Sequence, residues 1–454
     1  MKTAIALNRF GLGARPADAA RVTGDPAGWL QDQLHHTPPP ALPADPPQGL
    51  EPRTAPLLAE LQRISRQPDS APLVGRFQRE RHVGDVQARV NAALLTEHPF
   101  TERLVHFWSN HFAVSADRRP MAVLAGPFEN EAIRPRILGR FADLLLAVEQ
   151  HPAMLLFLDQ ARSSGPRSLA AQRAAARGAR APGLNENLAR EILELHTLGV
   201  QGGYRQTDVQ ELAQALTGWS VDGYGPRPRA EWVVGEFVFH PEFHEPGARR
   251  LLGRDYPEAG QAQARDMLLD LARHPATARH LATRLACHFV ADSPPPALVD
   301  RLAAVFQATD GDLPSVYRAL IAHPSAWAQA HAKFKSPWDY AVSALRALGA
   351  REATPRPEAT VAVFADLGQR VWTPGSPAGF GDTAERWAAP DALLKRIEYS
   401  ALLGRRAAGR DPRDLLERVL PGVVSESTRA EIARAESPAQ GLALLFASAE
   451  FMRR

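Results

Sequence analysis

Residues 185–220 read NENLAREILELHTLGVQGGYRQTDVQELAQALTGWS. On a wheel of about 100° per residue, Glu186, Asn187, Arg190, Glu194 and Thr197 share one face, while Leu184, Leu188, Ile192 and Leu195 gather on the other. This periodicity predicts a helix over 184–199. A second follows over 206–218, with Gly218 as a left-handed cap and Trp219 beyond it as core or as the wall of a pocket. His196 falls on the apolar side of the first helix, and Glu191 lies near its polar margin.

Working outward, the same repeat dominates the chain. Helices are expected at about 16–22, 26–36, 55–67, 72–97, 100–112, 133–149, 152–161, 259–273, 276–291 and 296–309, and then at 313–322, 335–349, 360–369, 385–408, 411–418, 425–434 and 437–450. Several begin with Pro after a polar residue, as in His151-Pro152, His274-Pro275 and His323-Pro324, and Pro at a first helical position is a start signal. The only strand signal is EWVVGEFVFHPEFH at 231–244, which suggests a short hairpin near 231–240. Segments 37–54, 162–183 and 371–384 read as irregular, the first two as mobile loops. The expected fold is mainly α, one large helical domain over 1–454 with that hairpin.

Apolar residues are 45% and charged residues 23% of the chain, proportions of a folded globular protein, and no stretch of roughly 18 apolar residues is present to span a bilayer. Lys plus Arg exceed Asp plus Glu by only three, and the basic residues are scattered without interleaved aromatics, so a nucleic-acid partner is not expected. The single cysteine, Cys287, excludes an intrachain disulfide and thiolate clusters, and it reads as a small buried hydrophobe within HLATRLACHFV. The apolar patch in MKTAIALNRFGLGARP is too short for a signal-peptide core, which places the chain as written in the cytoplasm.

The segments ALNRFGLGARP near the start, FWSNHF at 107–112, PAMLLFLD at 152–159, the 185–220 stretch, GEFVFHPEFHEPGARRLLG at 235–253, KFKSPWDYAVSALRALG at 333–349 and the closing LFASAEFMRR carry a resemblance. Together they are similar to the domain of unknown function 1800 family of bacterial proteins over the whole chain. The resemblance implies one intact domain without an established activity, and a possible partner in the sulfatase-like family of unknown function 1501, whose members are frequent genetic neighbours. Two departures are the longer 162–183 link and the missing export signal, since many family members are exported.

For chemistry, Glu186, Arg190 and Glu194 at i, i+4 and i+8, with Asn187 beside them, could hold one carboxyl poised for proton transfer. The plainer alternative is a salt-bridged helix face. In TERLVHFWSNHF, 101–112, Glu102, His106 and Asn110 share one face, while His111 joins Leu104, Phe107, Trp108 and Phe112 on the other. Thus two helices each aim a histidine, His111 and His196, into an apolar side, where imidazole needs a hydrogen-bond partner or a metal. His111, Glu191 and His196 are the candidate ligands for a divalent metal; a satisfied core histidine is the alternative. His240, Glu242 and His244 make a weaker zinc pattern. His280 and His288 lie about 80° apart on their helix and do not form one ligand face.

No GxGxxG after a strand, Walker loop, GxSxG elbow or HExxH occurs, so nucleotide, α/β-hydrolase and zincin chemistry drop out. Two readings remain. One is an enzyme with an acid/base or metal site where the 185–196 and 102–111 helices meet; the other is a non-catalytic scaffold that binds a partner.

Overall fold

The computed structural model of the chain describes residues 1–43, 51, 53–179, 183–225, 233–328 and 331–454. It is mainly α-helical, as expected, with only two small antiparallel hairpins among the described residues. Most helices fall where the periodicity places them, for example Ser70–Leu95, Pro99–His111, Gln206–Leu216, Pro275–Phe289 and Pro337–Ala347. The HisPro starts have a local cause. The imidazole Nδ1 of His151, His274 and His323 accepts from the backbone N–H two residues on, at 3.1, 3.1 and 3.3 Å, while Pro fills the position whose N–H would be orphaned.

Several expectations are corrected; among them, the 385–408 helix is two, Ala384–Trp387 and Pro390–Arg406, divided before Pro390. The predicted 133–149 helix is broken, because Arg134–Arg136 forms a 3₁₀ turn around Pro135 and the α-helix starts only at Phe141. The 162–183 link carries an eight-residue helix, Leu169–Ala176, whose N-cap Ser168 accepts from the Ala171 N–H; residues 180–182 lie outside the described residues. The strand Phe237–Phe239 does not pair within 231–240. It pairs with Trp219–Val221, directly after the Gln206–Leu216 helix, and a second hairpin joins Arg249–Leu251 to Arg254–Tyr256. Residues 231 and 232, and 44–50 and 52 of the proline-rich segment, lie outside the described residues.

Gly218 makes the turn into that hairpin. Its φ is +86°, and a Cβ there would sit 2.6 Å from the His240 carbonyl oxygen, so a larger residue is excluded by both conformation and space.

The 184–199 helix is shorter than its repeat suggests. It is α-helical over Asn187–Glu191 and widens into a π turn over Ile192–His196, after which the Thr197 hydroxyl bonds back to the Ile192 carbonyl at 2.6 Å. Such wide turns re-aim side chains and concentrate at functional or strained places.

One cluster of buried apolar side chains runs from Ile5 to Met452. Its aromatic centre stacks Phe10 on Phe289 and Trp327, with Phe100 edge-on to Phe10. Distant parts of the chain close on it: Lys333 and Arg454 exchange backbone hydrogen bonds of 3.0 and 2.7 Å, and the Asn8 amide donates to the Val419 carbonyl. This arrangement brings Arg103, Asp339 and Arg454 together around one cavity. No helix among the described residues is long and apolar enough to cross a membrane.

Candidate functional site

Glu186, Arg190 and Glu194 do form a ladder, with guanidinium-to-carboxylate distances of 3.1 and 3.7 Å, and Gln206 donates to Glu186 at 2.7 Å. The ladder faces solvent: the Arg190 side chain is 39% exposed and Asn187 is exposed. Glu191 is half-buried, and burial raises its carboxyl above the usual range.

The two histidine-bearing helices meet. His111 Nε2 lies 3.2 Å from the His196 carbonyl oxygen, and the two rings are 6.3 Å apart. The partner of the His196 ring comes from a third element, the Phe141–Glu149 helix, whose Glu149 carboxylate lies 2.8 Å from Nδ1, both groups being fully buried. Burial and the nearby His280 drive His111 far below the ordinary histidine range, so it is neutral. No group of three or more His, Cys, Asp or Glu side chains able to hold a metal ion occurs among the described residues; His111, Glu191 and His196 are therefore not gathered as a ligand set, nor are His240, Glu242 and His244.

The opposite face of the Pro99–His111 helix leads elsewhere. Glu102 receives a bidentate pair from Arg134 at 2.6 and 2.7 Å, and Arg134 also reaches Glu129 at 3.2 Å, which in turn accepts from Arg89 at 2.8 Å and from the Trp372 indole at 3.1 Å. Burial works against the charge on Glu102, but Arg134 and His106 outweigh it and hold the carboxyl well below the usual range. Asn110 grips the loop 371–384 through two bonds, accepting from the Phe380 N–H at 2.7 Å and donating to its carbonyl at 2.8 Å. Gly379 is what lets that loop approach: its φ is +75°, and a Cβ would meet the Asn110 carbonyl oxygen at 2.3 Å. Lys333 bonds the Asp382 carbonyl, and the Trp387 indole bonds the Gly381 carbonyl at 2.8 Å. An irregular stretch is thus tied at several points, to the Pro99–His111 helix through Asn110, to the non-helical Lys333 and to Trp387 just beyond it.

Between this loop and the helices lies a cavity of about 80 Å³. His106 and His288 both line it, and their tautomers are set by their partners. The Trp338 indole N–H, a donor only, points at His106 Nδ1 across 3.2 Å, so that nitrogen must accept and Nε2 carries the proton toward Glu102, 3.4 Å away. His106 therefore has no basic nitrogen to spare. His288 is the reverse: its Nδ1 is 2.9 Å from Asp382, a carboxylate that can only accept, so Nδ1 carries the proton and Nε2 keeps its lone pair. That Nε2 is shielded from bulk water and has no hydrogen-bond partner among the described residues.

Burial lowers the His288 imidazole to about 4, with Asp382 opposing the shift, so the ring is neutral at physiological pH. Burial would raise the Asp382 carboxyl, but His288, Arg284 and Arg454 outweigh it and keep it ionised well below the usual range. A buried carboxylate holding one imidazole nitrogen while the other stands free is the arrangement of a general base and its orienting acid.

Asp339 also lines the cavity, its Oδ1 3.0 Å from Arg103 and its Oδ2 3.2 Å from Arg454. The Arg89 guanidinium stacks at 4.5 and 5.2 Å over the rings of Trp338 and Trp372. Cys287, next to His288, is half-buried with Sγ 3.7 Å from the Asp292 carbonyl, and burial raises its thiol, so it is not an activated nucleophile.

The helical repeat puts Glu102, His106 and Asn110 on one face and sets His280 apart from His288, but carries no link from either to Asp382, Asp339 or the arginines. The offset between the two histidines was the available signal: His280 Nε2 faces the Leu195 carbonyl at 3.0 Å on the His196 side, while His288 turns into the cavity.

The model of a family described as protein of unknown function (DUF1800) matches residues 5–453. No curated protein and no solved structure matches the chain.

Proposed function

Since the chain belongs to the DUF1800 family, whose description assigns no activity, we propose from the cavity itself that the protein is an enzyme acting by general acid–base catalysis, with His288 as the base. One observation carries the reading: the His288–Asp382 pair, in which Asp382 fixes the tautomer and leaves Nε2 buried without a protein partner in the wall of the cavity that His288 lines. In this role Nε2, sealed from water, takes a proton from a substrate whose entry moves the cavity wall aside. Asp382, 2.9 Å from Nδ1, then stabilises the imidazolium. Asn110 and Lys333 are positioning residues, acting through the loop that carries Asp382. The His288–Asp382 pair suits the acid/base role better than Glu186, Asn187, Arg190 and Glu194, because the ladder faces water and its charges are already paired.

The test is a turnover screen against small esters, amides and carbonyl compounds with exchangeable α-protons, run in parallel on variants. His288→Gln and Asp382→Asn should lower any activity found by roughly 10²–10⁴-fold with unchanged circular dichroism, and Glu194→Ala should leave it intact. A rate indifferent to His288→Gln would sink the proposal.

A further inference from the structure

We infer that the same cavity recognises its ligand through an oxyanion, a carboxylate or a phosphate group, held by the guanidinium groups of Arg89, Arg103 and Arg454. The inference rests on the proposed active site and names what it binds. Its basis is the hydrogen-bonding ledger of the three arginines that line the cavity. Arg89 uses only Nε, toward Glu129, and its two amino groups have no protein partner among the described residues. They are not sealed off either, since neither is among the buried unsatisfied atoms, so they face the cavity. The fork is held flat by Trp338 and Trp372, which orders it before any ligand arrives. Arg103 spends Nε on the Gly11 carbonyl and one amino group on Asp339. Arg454 sets its Nε 3.2 Å from Asp339 as an ion pair without hydrogen-bond geometry, and spends one amino group on the Arg9 carbonyl. Each keeps its second amino group.

The carboxylates that line the cavity are committed. Asp339 has one oxygen on each of Arg103 and Arg454, and Asp382 is bound to His288. The lining holds three guanidiniums and two carboxylates, Glu129 behind it balances Arg89, and the histidines are neutral, so the cavity offers an anion unspent donors rather than net charge. A planar fork with two free amino groups matches the paired oxygens of a carboxylate or phosphate. About 80 Å³ holds only a few water-sized groups, which suits an acidic head rather than a whole large substrate. Arg103 and Arg454 both weigh against a charged His288, and an anion between them would relieve that opposition as the base takes its proton.

The experiment titrates the full chain at low ionic strength with inorganic phosphate, with acetate, and with tetramethylammonium as a cationic control, following the fluorescence of the cavity tryptophans Trp338, Trp372 and Trp387. At least one of the two anions should produce a saturable change, and the control none; which anion binds tighter separates phosphate from carboxylate. Arg89→Lys, which keeps the charge beside Glu129 but loses the fork, should weaken binding by about tenfold or more. No saturable change with either anion, an equal change with tetramethylammonium, or equal affinity in Arg89→Lys would overturn the inference. Anion binding that persists while turnover ignores His288→Gln would overturn only the base assignment. Turnover that depends on His288 without anion binding would overturn only this one.

Discussion

Glu186–Arg190–Glu194 and Glu102–Arg134–Glu129 are built from the same residue types, a guanidinium between two carboxylates, and they differ most in access to water. The first lies along one helix with Arg190 39% exposed. The second joins the Pro99–His111 helix to the Glu129–Arg134 turn with Arg134 only 1% exposed. In water, the attraction between such charges is screened, and ordering long side chains cancels most of what remains. In the interior neither compensation is available, so each charge requires its partner and the geometry becomes rigid. The comparison teaches that an acid/Arg pattern marks a place where chemistry can be organised only once it is buried. Here the buried copy touches two residues that line the cavity, His106 and Arg89.

Arg134→Met strips Glu102 and Glu129 of their shared partner and should cost about 3–5 kcal/mol in denaturant unfolding at neutral pH; a loss no larger than that of an exposed-ladder variant would erase the contrast.

Acid is the second probe. His288 is neutral when folded and takes up its proton near pH 4, against about 6.5 when unfolded. Between those values the unfolded chain holds the extra proton, so stability falls as pH drops from about 6.5 to about 4 and this contribution levels off below. Other buried histidines share the trend, so the checkable quantity is the difference: wild type should lose up to about 3 kcal/mol more than His288→Gln over that window. Equal losses in the two proteins would contradict the assignment.

Gly379→Ala should cost about 1–3 kcal/mol by forcing a side chain into a left-handed position against Asn110. It should also speed hydrogen exchange at the Phe380 amide, which Asn110 otherwise holds. Exchange unchanged there would mean the loop is not held by that contact. Smallest of all, Arg190→Ala should shift stability by no more than about 0.5 kcal/mol. A shift of several kcal/mol would show that exposure does not separate the two networks.

Much of the fold was legible before any coordinates. Helix starts could be read at His151, His274 and His323 because the capping bond and the Pro at the next position involve neighbours in the chain. The burial of His111 and His196 could be read from the wheel. Legibility failed where a partner was remote. Glu149 completes the His196 pair from 47 residues away. The irregular reading of 371–384 was right in form but concealed its role, because Asn110 and Lys333, which hold it in place, lie on other elements. The strand pairing of Trp219–Val221 with Phe237–Phe239 was likewise hidden, since the alternating stretch offered no sign of which edge it would meet.

By itself, then, the sequence determined that this protein is helical, where most helices begin, and which faces go inward, because the 3.6-residue repeat and the capping bonds act over a few residues. Only the tertiary structure decided which inward faces make a site. His288 and Asp382 are 94 residues apart in the chain, and Arg103, Asp339 and Arg454 span most of its length. No local repeat encodes such meetings, which arise when helices pack and water is excluded from the charges between them.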